Sequence, residues 1–297
     1  MAFHSGFVAV VGNPNVGKST LINAIIGKKV SIVSPKPQTT RNKILGVWNT
    51  ENYQVVFVDT PGMHKGSTKL DDYMQKSIES ATEDINLLLY VFDGSKPLLK
   101  SDLKKLSDYA KNSYPVFAVV NKVDLTNYER LFPELNKLNE IENLKDVFCI
   151  SALNSKNLEP LKENIKKYMT DDIKYFLDDQ LTDKTTGFMV AEAIREKMLW
   201  LLSDEVPHGV GIIIDEMTDK EKFEQITATI YCEKPGHKNI IIGAKGAMLK
   251  EIGKSSRLAI EKMLDKKVNL SLWVKVKEDW RNKEGILGNI GYSVDEL

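Results

Sequence analysis

The chain has 297 residues, 28% of them charged and 42% hydrophobic, with 41 basic against 41 acidic side chains. This is the composition of a soluble globular protein long enough for two domains of ordinary size, and the balanced charge names no partner. The opening "MAFHSGFVAVVG" lacks a charged start, an apolar signal core and a cleavage site, and no apolar run approaches a membrane span, so an intracellular chain without an integral membrane segment is expected.

In chain order, "FVAVVG", "YQVVFVD", "NLLLYVFD", "PVFAVVN" and "DVFCIS" read as strands. Runs apolar on both faces suit a mostly parallel sheet covered by helices on each side. Helices are predicted between them at 18–27, 69–83, 101–111, 130–142 and 158–169, giving an α/β doubly wound domain over residues 1–170. The acidic, polar stretch 171–187 reads as a linker. From 188 to 297 the pattern changes to an α+β order: a helix at 188–203, strands in "GVGIIIDEMT" and "QITATIYCE", a short helix, a glycine-containing turn, a longer helix, the strand "VNLSLWVKV" and a polar helix around 279–289. Met248, Ile252, Ala259 and Met263 fall near one face of the longer helix. Cys149 and Cys232 lie inside apolar runs without metal-like spacing and are expected to be buried structural thiols.

"GNPNVGKS" has the spacing of a phosphate-binding P-loop and lies between a predicted strand and a predicted helix, as its mechanism requires. Gly12 and Gly17 let the backbone of Asn13, Pro14, Asn15 and Val16 wrap a phosphate, and the helix opening at Lys18, Ser19 and Thr20 adds dipole charge. Lys18 would reach the β- and γ-phosphates, and Ser19 would ligate Mg²⁺. Asp59 ends a strand where it can hold the same ion through water. It continues into Thr60, Pro61 and Gly62, whose glycine N–H would sense the γ-phosphate. In the polar connection "SPKPQTTRNKILG", Thr39 or Thr40 could offer Mg²⁺ a hydroxyl, with Thr40 favoured. Lys18, Thr40, Asp59 and Gly62 are thus the candidate catalytic set.

"NKVD" selects the base. Asp124 can accept from the N1–H and exocyclic amine of guanine, and adenine offers neither; a site built to hydrogen-bond such groups rejects an analogue lacking them by about 10⁴ to 10⁵. Asn121 would help hold the base edge and loop, the Lys122 stem would pack along the ring, and "SA" would place Ser151 and the Ala152 N–H near guanine O6. With these motifs in this order, residues 1–170 resemble the translation-factor-related class of GTPases. The Ras-like water-orienting glutamine is replaced by Met63, which cannot orient water through a strong hydrogen bond, so slow intrinsic hydrolysis is expected. Asn15 raises K⁺ as an additional cofactor, because some GTPases with a similar "PN" use an asparagine there as a K⁺ ligand.

In the second half, "GAKG" at Gly243, Ala244, Lys245 and Gly246 joins two helices and matches the GXXG turn of a KH domain, which clamps a single nucleic-acid strand. Between Lys234 and Lys283 there are 13 basic against 5 acidic residues, whereas residues 171–297 hold 19 basic and 23 acidic. The basic footprint is therefore local. The order of two strands, two helices and a strand resembles the type II KH arrangement.

A single GTPase domain followed by a type II KH domain is similar to the Era-like family of ribosome-assembly GTPases over nearly the whole chain. That resemblance implies a cytoplasmic protein, expected as a monomer, that binds the 3′ end of small-subunit ribosomal RNA, acts in 30S maturation and associates peripherally with the cell membrane. It also implies an RNA-contacting surface within 240–257, including Ile240, Ile241, Lys250, Lys254 and Arg257. The competing reading, an RNA-binding scaffold with GTP as a structural ligand, differs in lacking turnover.

Overall fold

Four of the five runs that read as apolar on both faces are buried on both faces in the computed structural model, which describes residues 3–63, 66–203 and 205–292, whereas "DVFCIS" is only partly buried, with Asp146 exposed. In the first half, chain order runs β1 (His4–Val11), α1 (Lys18–Ile26), β2 (Ile44–Asn49), β3 (Tyr53–Asp59), α2 (Lys69–Ser80), β4 (Leu87–Asp93), α3 (Lys100–Tyr109), β5 (Val116–Asn121), α4 (Tyr128–Asn139), β6 (Asp146–Cys149) and α5 (Leu158–Lys166). They build one sheet in the order β2-β3-β1-β4-β5-β6, in which β2 and β3 are antiparallel and the other pairs parallel.

Period-two alternation divides the core into two layers. Val8 and Val10 of β1, Leu87 and Leu89 of β4, and Phe117 and Val119 of β5 face Leu21, Ile22 and Ile25 of α1 and Leu161 and Ile165 of α5. Their alternates, Ala9, Val11, Leu88, Tyr90, Ala118 and Val120, face Ile78 of α2, Leu106 of α3 and Leu131 and Leu138 of α4. The C-terminal ends of β1, β3, β4 and β5 carry Val11, Asp59, Asp93 and Asn121, where ligands bind in open α/β sheets.

Two expectations need correction here. "ILGVWN", placed within and just after a polar connection, is the antiparallel edge strand β2; Gly46 interrupts its pattern because Ile22, Ile26 and Val30 crowd that position. The proposed linker is largely docked: the first compact unit comprises Met1–Val33, Thr40–His64 and Met74–Asp183, and the second Ser34–Thr39, Lys65–Tyr73 and Lys184–Leu297. Fully buried Gln54 holds the segment, its Oε1 accepting from the Tyr175 and Phe176 N–H groups at 2.8 and 2.9 Å.

The second half runs α6 (Thr186–Leu201), β7 (Gly211–Asp219), β8 (Glu224–Cys232), α7 (Pro235–Ile242), α8 (Ala247–Leu264), β9 (Val268–Val276) and α9 (Glu284–Asn289). Thr185 caps α6, its hydroxyl accepting from the Phe188 N–H. The sheet order is β7-β8-β9, with β8 parallel to β9 and antiparallel to β7. Ile226, Ala228, Ile230 and Cys232 of β8 meet Ile194 and Met198 of α6 and Ile252 and Ile260 of α8 in one core. The helix expected around 279–289 is broken into a 3₁₀ turn, Trp280–Asn282, and the shorter α9. Trp280 is fully buried there, its indole N–H donating to the Gly209 carbonyl at 2.9 Å. Cys232 is buried as expected, but Cys149 is only half-buried. Among the described residues, no helix is long and apolar enough to cross a membrane.

Candidate functional site

The loop between β1 and α1 has the backbone that its glycines predict. Gly17 takes φ 98° at the start of α1, and a Cβ there would lie 2.3 Å from the Asn121 amide nitrogen, so only glycine fits this crossing. The buried Lys18 ammonium donates to the Gly12 and Asn13 carbonyls at 3.0 and 3.1 Å. Burial lowers its pKa to about 8, against the opposing attraction of Asp59. The Val16 side chain lies in the core, so any contact it makes with a ligand is through its backbone.

Below the loop, three predicted residues converge from separate elements. Ser19 Oγ donates to Asp59 Oδ2 at 2.7 Å and lies 2.8 Å from Thr40 Oγ1, and the Thr40 hydroxyl reaches Asp59 Oδ2 at 3.5 Å. The alternative Thr39 is engaged elsewhere, its hydroxyl donating to the Lys36 carbonyl and paired with Ser34 Oγ. Asp59 is fully buried, and its Oδ1 has no hydrogen-bond partner. Burial pushes its pKa up, against hydrogen bonding from Ser19 and the Lys18 charge. Two hydroxyls and a buried carboxylate with an unsatisfied oxygen fit a hard divalent cation that also takes phosphate oxygens. No group of three or more His, Cys, Asp or Glu residues suited to a metal occurs among the described residues.

The Asp59-to-Gly62 segment passes against the P-loop. A Cβ on Gly62 would lie 2.7 Å from Pro14 Cα, and the Met63 N–H donates to the Gly12 carbonyl at 3.2 Å. The Thr60 side chain is fully buried and its hydroxyl donates to the Val10 carbonyl at 2.8 Å, tying β3 to β1, so any contact Thr60 makes with a ligand is through its backbone.

At the base end, the structure shows the second of the two roles expected of Asn121, that of holding the loop. Its Nδ2 donates to the Val16 carbonyl and its Oδ1 accepts from the Ala152 N–H, both at 2.9 Å. The Ala152 N–H, expected to face guanine O6, is thus engaged by Asn121; Ser151 closes its own turn by pairing with Lys156. Lys122 adopts φ 64° and donates to the Asn15 carbonyl at 2.5 Å and to Asp93 Oδ2 at 2.7 Å. Asp124 is exposed, with its carboxylate available to a base.

Two further residues belong to this site. Burial raises the pKa of Asp93, but the hydrogen bonds from Lys122 and Ser95 outweigh it and leave the carboxyl below its ordinary range. Asp102, in the first turn of α3 and buried, accepts from Asn13 Nδ2 at 2.6 Å. Asp93 had a signal in its place at the end of an apolar strand, like Asp59; Asp102 had none.

In the second unit, Gly243, Lys245 and Gly246 take φ 72°, 50° and 80°, and the turn delivers the N-terminus of α8. A groove of about 540 Å³ lies along α8 and β9, lined by Gly246, Leu249, Lys250, Gly253, Lys254, Arg257, Asn269, Leu270 and Leu272. Among the described residues, Lys245, Lys250 and Lys254 have no ion-pair partner, whereas Arg257 pairs with Glu261 at 3.0 Å. Ile240 is exposed, and Ala244 and Lys245 project from the turn. Ile241 is corrected: it is fully buried in the core of this unit, because α7 presents only one face to solvent. The hydrophobic floor and the β9 contribution to the groove have no motif that displays them in the sequence.

Residues 7–122 match the family described as 50S ribosome-binding GTPase, and residues 205–281 match the KH domain. The chain is 45% identical to GTPase Era of Caldanaerobacter subterraneus subsp. tengcongensis over 298 residues, covering all of both chains, and 47% identical to GTPase Era of Clostridium acetobutylicum over 98% of each. The chain belongs to the Era family of GTPases. It superimposes with a TM-score of 0.93, at 35% identity and over 98% of its length, on all of a crystal structure of Era in complex with MgGDPNP and nucleotides 1506–1542 of 16S ribosomal RNA. An Aquifex aeolicus Era variant bound to GDP and tetrafluoroaluminate matches equally well. As in that family, a P-loop GTPase domain with a mostly parallel sheet precedes a KH domain.

Proposed function

We propose that this Era-family GTPase converts GTP to GDP and phosphate, binds the 3′ end of 16S ribosomal RNA along the α8–β9 groove, and acts as a nucleotide-gated switch in 30S assembly and rRNA maturation. The observation that carries the enzymatic part is the Ser19–Thr40–Asp59 cluster under the P-loop, with Thr40 and Asp59 buried and Lys18 beside it. Lys18 and the loop amides hold phosphate charge, and Ser19, Thr40 and Asp59 would hold Mg²⁺, which supplies charge neutralisation at the transferring phosphoryl group when bound. The Era relative bound to MgGDPNP supports that assignment. Met63 offers no strong hydrogen bond to water, so unassisted turnover is slow. Exposed Asp124 reads the guanine edge, while Asn121 and Lys122 fix the loops around it.

For RNA, Lys245, Lys250 and Lys254, which have no ion-pair partner among the described residues, attract phosphates, and the turn glycines allow close backbone approach. Gating is supported within the second unit, which includes Ser34–Thr39: buried Arg195, held by Glu192, donates to the Thr39 and Gln38 carbonyls immediately before Thr40. Ligands that order Thr40 thereby bias the unit carrying the groove. Two finer proposals concern K⁺ and location. Exposed Asn15 could ligate K⁺, and equal hydrolysis rates in matched K⁺ and Na⁺ buffers would remove that role. A monomer in the cytoplasm, peripherally associated with the membrane, is proposed from family resemblance.

Phosphate release from GTP and ATP, with and without the 3′-terminal rRNA oligonucleotide, tests the enzymatic reading. Slow, GTP-selective turnover supports it. GTP binding without turnover, even with RNA, would leave only a scaffold.

A further inference from the structure

The row of β9 side chains facing away from the core runs Asn269, Ser271, Trp273 and Lys275. The intervening Val268, Leu270, Leu272 and Val274 face inward. Trp273 is 62% exposed, although it sits in the middle of a regular strand. Its cross-strand neighbours on β8 are Thr229 directly opposite and Thr227 and Tyr231 to either side, so the aromatic ring is bordered by short or amphipathic side chains. Two β7 carboxylates lie near this face: Asp215 accepts from the Thr229 hydroxyl at 2.7 Å, and Glu216, opposite Thr227, accepts from the Thr218 hydroxyl at 2.9 Å. Lys275 is exposed and has no ion-pair partner among the described residues.

An exposed tryptophan is unremarkable alone; its position is what matters here. β9 is the outer strand of its sheet, and Asn269, the first member of this outward row, also lines the groove. The groove therefore opens over the β9 edge onto a face whose β9 row carries Trp273 and Lys275 and no carboxylate, with Tyr231 beside them on β8. Sheets that present aromatics beside a basic groove stack unpaired bases.

We propose that Trp273 is a stacking platform for a base of the RNA strand that leaves the α8–β9 groove over the β9 edge, with Lys275 attracting the adjoining phosphate. This rests on the groove itself binding RNA. The groove supplies the register, and the platform adds affinity for strands long enough to pass the edge.

The experiment compares two labelled oligonucleotides from the 3′ end of 16S ribosomal RNA, one of about four nucleotides that fills the groove and one of about ten. Wild type, Trp273→Ala, Trp273→Phe and the groove variant Lys250→Ala/Lys254→Ala are titrated with both. Stacking on an aromatic side chain is worth about 5- to 150-fold in affinity per base. Trp273→Ala should lose that factor for the long RNA and keep wild-type affinity for the short one, with Trp273→Phe retaining most of the binding. The long RNA should also quench a component of the tryptophan emission that is missing in Trp273→Ala. Wild-type affinity of Trp273→Ala for both lengths, or equal loss for both, would overturn the platform while leaving the groove. Unchanged binding by the groove variant, or no selective binding by wild type, would overturn the groove reading and the platform with it.

Discussion

Replacing Asn121 by alanine tests the assembled GTP site most sharply, because this side chain joins three loops rather than one ligand. The substitution removes the donor to the Val16 carbonyl and the acceptor for the Ala152 N–H, two buried bonds of 2.9 Å. A buried polar group left unsatisfied costs about 1–3 kcal/mol, so the pair amounts to about 2–6 kcal/mol. For a unit of this size, each kcal/mol lowers Tm by about 2–4 °C, so nucleotide-free protein should unfold at least about 4 °C lower by calorimetry. If GDP must reassemble the loops, its affinity falls by up to the same free energy, about 30-fold at the lower bound, read by titration with a fluorescent GDP analogue. Asn121→Asp keeps an acceptor for Ala152 but points a carboxylate oxygen at the Val16 carbonyl, and should bind GDP more weakly than Asn121→Ala. An Asn121→Ala protein with wild-type Tm and GDP affinity would refute the assigned role.

Three other perturbations have defined outcomes. Asp102→Ala leaves Asn13 without its charged partner, a bond worth about 1.5–3 kcal/mol, so kcat/KM for GTP should fall by at least about tenfold, with Asp102→Asn recovering part; identical kinetics would exclude a positioning role. Since buried Lys18 titrates at about 8 in nucleotide-free protein and phosphates favour its charged form, nucleotide binding should take up a proton above that pH, and affinity should decline there toward tenfold per pH unit. Without nucleotide the sign reverses: the unfolded chain holds more protons between about 8 and 10.5, so this group makes stability rise with pH across that window. Calorimetric titrations in two buffers of different protonation enthalpy at about pH 8.5 detect the uptake, and a buffer-independent heat would contradict it. Ile241→Ala should destabilise the second unit by about 2–5 kcal/mol, whereas Ile240→Ala should leave its Tm unchanged; equal Tm values would contradict the burial difference.

Much of the fold was legible because its cause is local. Strands β1, β3, β4 and β5 are buried on both faces, and their apolar runs advertise it; the P-loop needs glycine where the backbone turns left-handed or is crossed at close range. What escaped depends on distant partners. Asn121 joins Val16 and Ala152, which lie 105 and 31 residues away along the chain, and no single motif displays that convergence. Residues 171–183 look like a polar linker by composition, yet they dock through backbone hydrogen bonds to Gln54, a contact that leaves no trace in hydropathy. Gly46 hides the edge strand β2, and a helix as short as α7 has too few turns for its apolar residues to show which face is buried, so Ile241 looks like its exposed neighbour Ile240.

A nucleotide-gated switch requires that the GTP state favour RNA binding. A 3′-terminal 16S rRNA oligonucleotide, beside a scrambled one, is titrated into the protein loaded with a non-hydrolysable GTP analogue or with GDP. Tighter, sequence-selective binding is expected with the analogue and, by linkage, an equal factor by which the RNA tightens binding of the analogue relative to GDP. Equal RNA affinity in the two nucleotide states would contradict it.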